Sequence, residues 1–108
     1  MQVAVICEDV PGEEAARLRQ ERLAAHLFHV EQAMDLILVA GPLRSGDGKV
    51  CGSLLVLDVP SLAAARHLMA EDPYSAPGIW ASVRFLEFGA VAGTWVGGAS
   101  WKGPASEG

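Results

Sequence analysis

Positive charge is scarce in this chain: eight Lys and Arg stand against thirteen Asp and Glu, for a formal charge of −5. Lys49 is the only lysine before the C-terminal tail, and the arginines are scattered. A nucleic-acid binder needs a basic stripe to neutralise phosphates and release counterions, so DNA and RNA are excluded as expected partners. Cysteine is also scarce. Cys7 and Cys51 lie in apolar segments without CxxC or Cys/His spacing, which leaves no expected metal site and points to buried thiols. No run approaches the ~20 apolar residues of a membrane span, and no basic region followed by an apolar one opens the chain. A cytoplasmic protein without membrane contact is expected. Arg44-Ser45-Gly46-Asp47-Gly48-Lys49 lacks dinucleotide and P-loop spacing, and no cofactor is expected.

What is present is apolar material: 51% hydrophobic residues in 108, with a mean hydropathy of +0.28. That composition excludes wholesale disorder and supplies one modest core in one domain. Gln2 to Cys7 is rich in β-branched residues and reads as a strand. Pro11-Gly12 precedes a helical pattern that runs to about Met34, with Glu13 and Glu14 suited to its first turn. Ala16, Leu23, Leu27, Val30 and Met34 predict its buried stripe, and Arg19, Arg22, His26 and His29 share a neighbouring one. Leu36 to Ala40 reads as a second strand stopped by Gly41-Pro42, and Val50 to Val59 as a third. Ser61 is the expected N-cap of a second helix with Leu62, Ala65, Leu68 and Met69 inward, ending by Asp72. Ala81 to Phe88 is the fourth strand. Residues 1–88 thus form the domain, and residues 89–108, with six glycines, a tail of low local order.

The order βαββαβ predicts an α+β, ferredoxin-like split βαβ fold: an antiparallel four-stranded sheet with two helices on one face. Val3-Ala4-Val5-Ile6 and Leu54-Leu55-Val56-Leu57 are apolar without alternation, although two helices cover only one face. The open face of the sheet is therefore expected to meet a second copy under two-fold symmetry, giving a homodimer.

Several residues carry potential chemistry. His26 can take and return a proton near neutral pH, and Arg22, one turn earlier, could bind an anion beside it. Asp72 in Asp72-Pro73-Tyr74 sits at a helix C-terminus, an unfavourable place for a carboxylate unless function or a turn requires it. Ser53 is a hydroxyl inside an apolar strand, next to Gly52. His29 and His67 read as solvated helix residues, and Cys7 as a core thiol.

Taken together, these residues resemble the YCII-related (YciI-like) family of small dimeric proteins. The match is carried by His26-Leu27, Ala40-Gly41-Pro42-Leu43, Gly52-Ser53-Leu54-Leu55-Val56, and the DPY-x-x-x-G stretch from Asp72 to Gly78, and spans residues 1 to about 88. The resemblance implies a dimeric α/β barrel with a site centred on His26 and Asp72 as catalytic residues, in a pocket between helices and sheet. One branch of that family resembles a dehydrochlorinase of chlorinated hydroxyhydroquinones. Arg22 matches the family pattern loosely, Pro77 departs from it, and the Trp-containing tail has no counterpart there.

The expected function is a cofactor-independent small-molecule enzyme of lyase or isomerase type. In it His26 transfers a proton, Asp72 orients it, and Arg22, Ser53 and Tyr74 contact the substrate. The alternative is a non-catalytic dimeric binding or accessory module using the same pocket. Trp95 and Trp101 are expensive to leave in water, so the tail is expected to lie across the dimer partner or to cap the pocket.

Overall fold

The computed structural model of the chain describes residues 1–102. Its elements are β1 (Gln2–Asp9), α1 (Glu13–Gln32), β2 (Ile37–Arg44), β3 (Val50–Asp58), α2 (Leu62–Ala70) and β4 (Trp80–Glu87). Short 3₁₀ turns occupy Met34–Leu36 and Pro73–Ser75. The strands form one antiparallel sheet in the order β2-β3-β1-β4, the ferredoxin-like arrangement expected from the element order. No helix among the described residues is long and apolar enough to cross a membrane.

Strand alternation divides the apolar residues between two faces. Val3, Val5 and Cys7 of β1 are fully buried and meet Leu55, Leu57, Val59 and the α2 residues Ala65 and Met69 in the core. Their neighbours turn the other way, where Ala4 pairs with Val56 and Leu86, and Ile6 with Leu54 and Arg84. Leu54 and Leu86 keep 39% and 45% of their surface exposed there. Ser61 caps α2 as its sequence requires, accepting the Ala64 N–H at 3.0 Å. Gly52 is needed in β3 because a Cβ at this position would collide with the Cys7 carbonyl oxygen.

Three expectations are corrected, beginning with Cys51, which is exposed rather than a buried thiol. The buried residues of α1 are Ala15 and Leu18, while Leu23, Leu27 and Met34 remain 38%, 48% and 54% exposed. Ala16 is exposed as well, and Val30 is half-buried. The cause is docking: Leu18 packs on Tyr74 and Ile79, so the first half of α1 is anchored on the chain after α2. The second half overhangs β2 and β3 and leaves a cavity beneath it. The second strand does not stop at Gly41-Pro42 but runs through to Arg44. It is an edge strand with a single neighbour, where a proline's missing N–H is tolerated.

The tail is also more regular than expected. Ala92–Gly93 (β5) pairs with Gly98–Ala99 (β6), and 3₁₀ turns fill Thr94–Val96 and Ser100–Lys102. Residues 103–108 of the tail lie outside the described residues. Trp95 and Trp101 are 83% and 70% exposed, and no tail residue among those described lines the cavity of its own chain.

Candidate active site

The cavity between the overhanging half of α1 and the β2–β3 surface has a volume of about 390 Å³. Leu23, Leu27 and Val30 form its helical wall, Ala40, Pro42, Val50 and Leu55 its sheet wall, and polar groups converge on it from four elements. That combination, apolar walls with a few placed polar groups, is the usual character of a small-molecule site.

His26 and Asp72 meet here. Nδ1 of His26 lies 2.9 Å from both carboxylate oxygens of Asp72, across 46 residues of sequence. Asp72 is almost fully buried, with a side-chain exposure of 3% against 20% for His26. The position after α2 that looked unfavourable for a carboxylate is rescued locally, because Asp72 caps the next turn and accepts the Tyr74 N–H at 2.9 Å. Accepting from Nδ1–H, the carboxylate fixes the imidazole tautomer and leaves Nε2 as the basic nitrogen. The Tyr74 ring lies flat against the imidazole, with centroids 3.8 Å apart and planes 3° from parallel. Burial and the neighbouring Asp72 and Asp9 charges raise the Tyr74 pKa against the opposing pull of Arg19, so its hydroxyl stays a donor, to the Arg19 carbonyl at 3.1 Å.

A second polar cluster reaches the same cavity through Arg19 and Ser53. Arg19 grips Asp9 with Nε and Nη2, both at 2.8 Å, and Nη2 also donates to Ser53 Oγ at 3.1 Å. The Arg19 and Asp9 side chains are 13% and 6% exposed. Burial disfavours the Arg19 charge, but the hydrogen bonds and charge of Asp9 outweigh that and raise its pKa. The guanidinium also stands 5.1 Å from the Tyr74 centroid, within cation–π range. The Trp80 indole N–H, on the cavity wall, is the one buried side-chain donor without a partner among the described residues.

Of the residues singled out from sequence, the fold brings His26, Asp72, Ser53 and Tyr74 together around one cavity. Tyr74 is buried beneath His26 rather than open to the cavity centre, at 4% exposure. Arg22 does not line it; its guanidinium donates to the Ala76 and Pro77 carbonyls at 3.0 and 3.2 Å and ties α1 to the loop before β4. His29 does not line the cavity, and exposed His67 lies 3.2 Å from Glu71 on α2. Cys7 lies beneath the site, its thiol pushed up to about 12 chiefly by burial, which leaves it inert as a nucleophile. Sequence reasoning missed Arg19 and Asp9 as site residues. The available signal was spacing, since Arg19 precedes His26 by two helical turns and shares its face.

The YCII-related domain model matches residues 1–89. A solved structure of 5-chloro-2-hydroxyhydroquinone dehydrochlorinase from Burkholderia phenoliruptrix AC1100, in complex with 2,5-dihydroxybenzoquinone, superposes with a TM-score of 0.73. The two share 24% identity over 88% of this chain and 98% of that one, a likeness that carries the fold. No curated protein matches. The chain belongs to the YCII-related family.

Proposed function

We propose that this YCII-related chain is a cofactor-independent small-molecule lyase, dehydrochlorinase-like in its chemistry, with Nε2 of His26 as the proton-transferring atom. The observation that carries this reading is the His26–Asp72 pair, held at 2.9 Å on the wall of a cavity large enough for a substituted ring. The solved neighbour, a dehydrochlorinase of a chlorinated trihydroxybenzene, supports the same class.

The reaction needs no oxidant. His26 takes the proton of a ring hydroxyl and returns it to the chlorine-bearing ring carbon, which becomes tetrahedral as the hydroxyl carbon becomes a carbonyl. Removal of a second hydroxyl proton then drives that oxygen's electron pair through the ring and expels chloride. The net change is loss of HCl and formation of a quinone. Asp72 stabilises the imidazolium formed at each proton abstraction, and a positioned acid–base group of this kind contributes roughly 10²–10⁴-fold. The burial of Asp72 lowers the dielectric around the pair, which strengthens the interaction between carboxylate and imidazole.

The test is chloride release from 5-chloro-2-hydroxyhydroquinone under anaerobic conditions by wild type and His26→Ala. Release by wild type, lowered at least 100-fold in the variant, supports the reading. Tight binding of such rings with no turnover would instead favour the non-catalytic module, a reading that the largely apolar walls also accommodate.

The working form proposed here is a homodimer joined through the open sheet face. Ala4, Ile6, Val39, Leu54, Val56 and Leu86 share that face, and neither helix covers it. At about 25 cal/mol per Å², a few hundred Å² of apolar sheet withdrawn from water is worth several kcal/mol, comparable with the whole stability of a small domain.

A further inference from the structure

His26 and Asp72 account for proton transfer, but not for Arg19, which is tied down two helical turns earlier on the wall of the same cavity. Its guanidinium is spent unevenly. Nε and Nη2 are committed to Asp9 and Ser53, whereas Nη1 has no protein partner among the described residues and is not sealed from solvent. Ser53 is spent unevenly too. Its oxygen accepts from Nη2, and no described acceptor takes its proton. Two donors, one of them charged, are therefore left for whatever occupies the cavity.

Spacing fits one occupant spanning both clusters. Seven residues of α-helix separate the Arg19 and His26 backbones by about 10 Å. A six-membered ring with an oxygen at each end, plus a hydrogen bond of about 2.8 Å at each oxygen, covers roughly that distance.

Charge then selects the kind of oxygen. Asp9 neutralises Arg19 at close range, and Asp72 adds a second buried carboxylate nearby. A ligand carboxylate or phosphate would lose its water beside the Asp72 carboxylate, while Arg19, the only guanidinium on the cavity wall among the described residues, is already neutralised by Asp9, which does not itself line the cavity. A phenol or ketone oxygen pays no such cost, and it can still gain from the two donors as negative charge develops on it.

We infer that Nη1 of Arg19 and the hydroxyl of Ser53 together receive one ligand oxygen, and that Asp9 makes this subsite selective for phenol- or ketone-type oxygens over carboxylates and phosphates. This rests on the cavity being the small-molecule site proposed above, but not on its being catalytic.

The test compares two probes that differ only in the group of interest, 2,5-dihydroxyacetophenone and 2,5-dihydroxybenzoate, titrated calorimetrically into the full chain at pH 7. Wild type should bind the ketone at least tenfold more tightly. Ser53→Ala should weaken the ketone about 3- to 10-fold, the value of one neutral hydrogen bond. Asp9→Asn should strengthen binding of the carboxylate and erase the preference. A wild type that prefers the carboxylate, or binds neither probe, overturns the inference, as does Ser53→Ala with both affinities unchanged. Should circular dichroism show Asp9→Asn unfolded, wild type and Ser53→Ala decide. The selectivity pattern without chloride release would defeat the catalytic reading alone; chloride release without the pattern would defeat this inference alone.

Discussion

Replacing Asp72 by Asn separates the two jobs of this carboxylate. One oxygen accepts the Tyr74 N–H at 2.9 Å and caps the 3₁₀ turn, and an amide oxygen can do the same. With that oxygen retained by Tyr74, the other group, also 2.9 Å from Nδ1, becomes an NH₂ donor. Nδ1 accepts from it most readily when the proton sits on Nε2, so the tautomer balance shifts toward Nε2–H and the base is weakened. The stability cost is small, because a charge-assisted bond of about 1.5–3 kcal/mol becomes a neutral one of about 0.5–1.5 kcal/mol. A net loss near 1 kcal/mol lowers Tm by roughly 4–8 °C in a domain of this size. Chloride release should fall about 10²- to 10⁴-fold while the variant stays folded. Asp72→Ala removes the cap and orphans Nδ1 as well, for about 2–4 kcal/mol. Nitrogen NMR of the imidazole distinguishes the tautomers directly, with Nδ1–H expected in wild type and Nε2–H in Asp72→Asn. An Asn variant that keeps its turnover, or keeps Nδ1–H, would refute the assigned role of Asp72.

Other outcomes follow from the same structure. Burial raises the Cys7 thiol from 9.0 to about 12, so the native state holds this proton more tightly than the unfolded chain does. Stability is thus complete below the ordinary thiol value and declines as pH rises toward 12. Cys7→Ala, though weakened at neutral pH by its cavity, should lack that decline, and parallel urea titrations for both proteins would contradict this. Leu54→Lys and Leu86→Lys should cost a lone subunit little, within about 0.5 kcal/mol, yet shift sedimentation from dimer to monomer. An unchanged sedimentation profile would rule out the open face as the contact. Gly78 has φ +111°, and a Cβ there would strike the Leu18 side chain, so Gly78→Ala should lose about 2–4 kcal/mol in denaturant titrations. A loss below 0.5 kcal/mol, the scale of neutral surface changes, would show that α1 can shift freely on its anchor.

The family signature and the local geometry were already present in the order of residues. Strand and helix order, the Ser61 cap, the inward face of α2 and the apolar reverse side of the sheet are properties of neighbours in sequence, written in periods of 2 and 3.6. His26, Asp72, Ser53 and Tyr74 were legible as candidates because their residue types fit their local context poorly or carry chemistry. Tertiary structure decided the rest. Period alone could not choose which stripe of α1 is buried, because Leu18 docking on Tyr74 and Ile79 sets the rotation of the helix, and residues far along the chain supply those partners. Nor could it choose between Arg19 and Arg22, both on the His26 side of the helix. Asp9, at the end of β1, claims Arg19, and the Ala76 and Pro77 carbonyls claim Arg22. A hydrogen bond across 46 residues depends on crossover and register, which no local pattern encodes, and so the cavity and its paired charges exist only once the sheet has closed against α1.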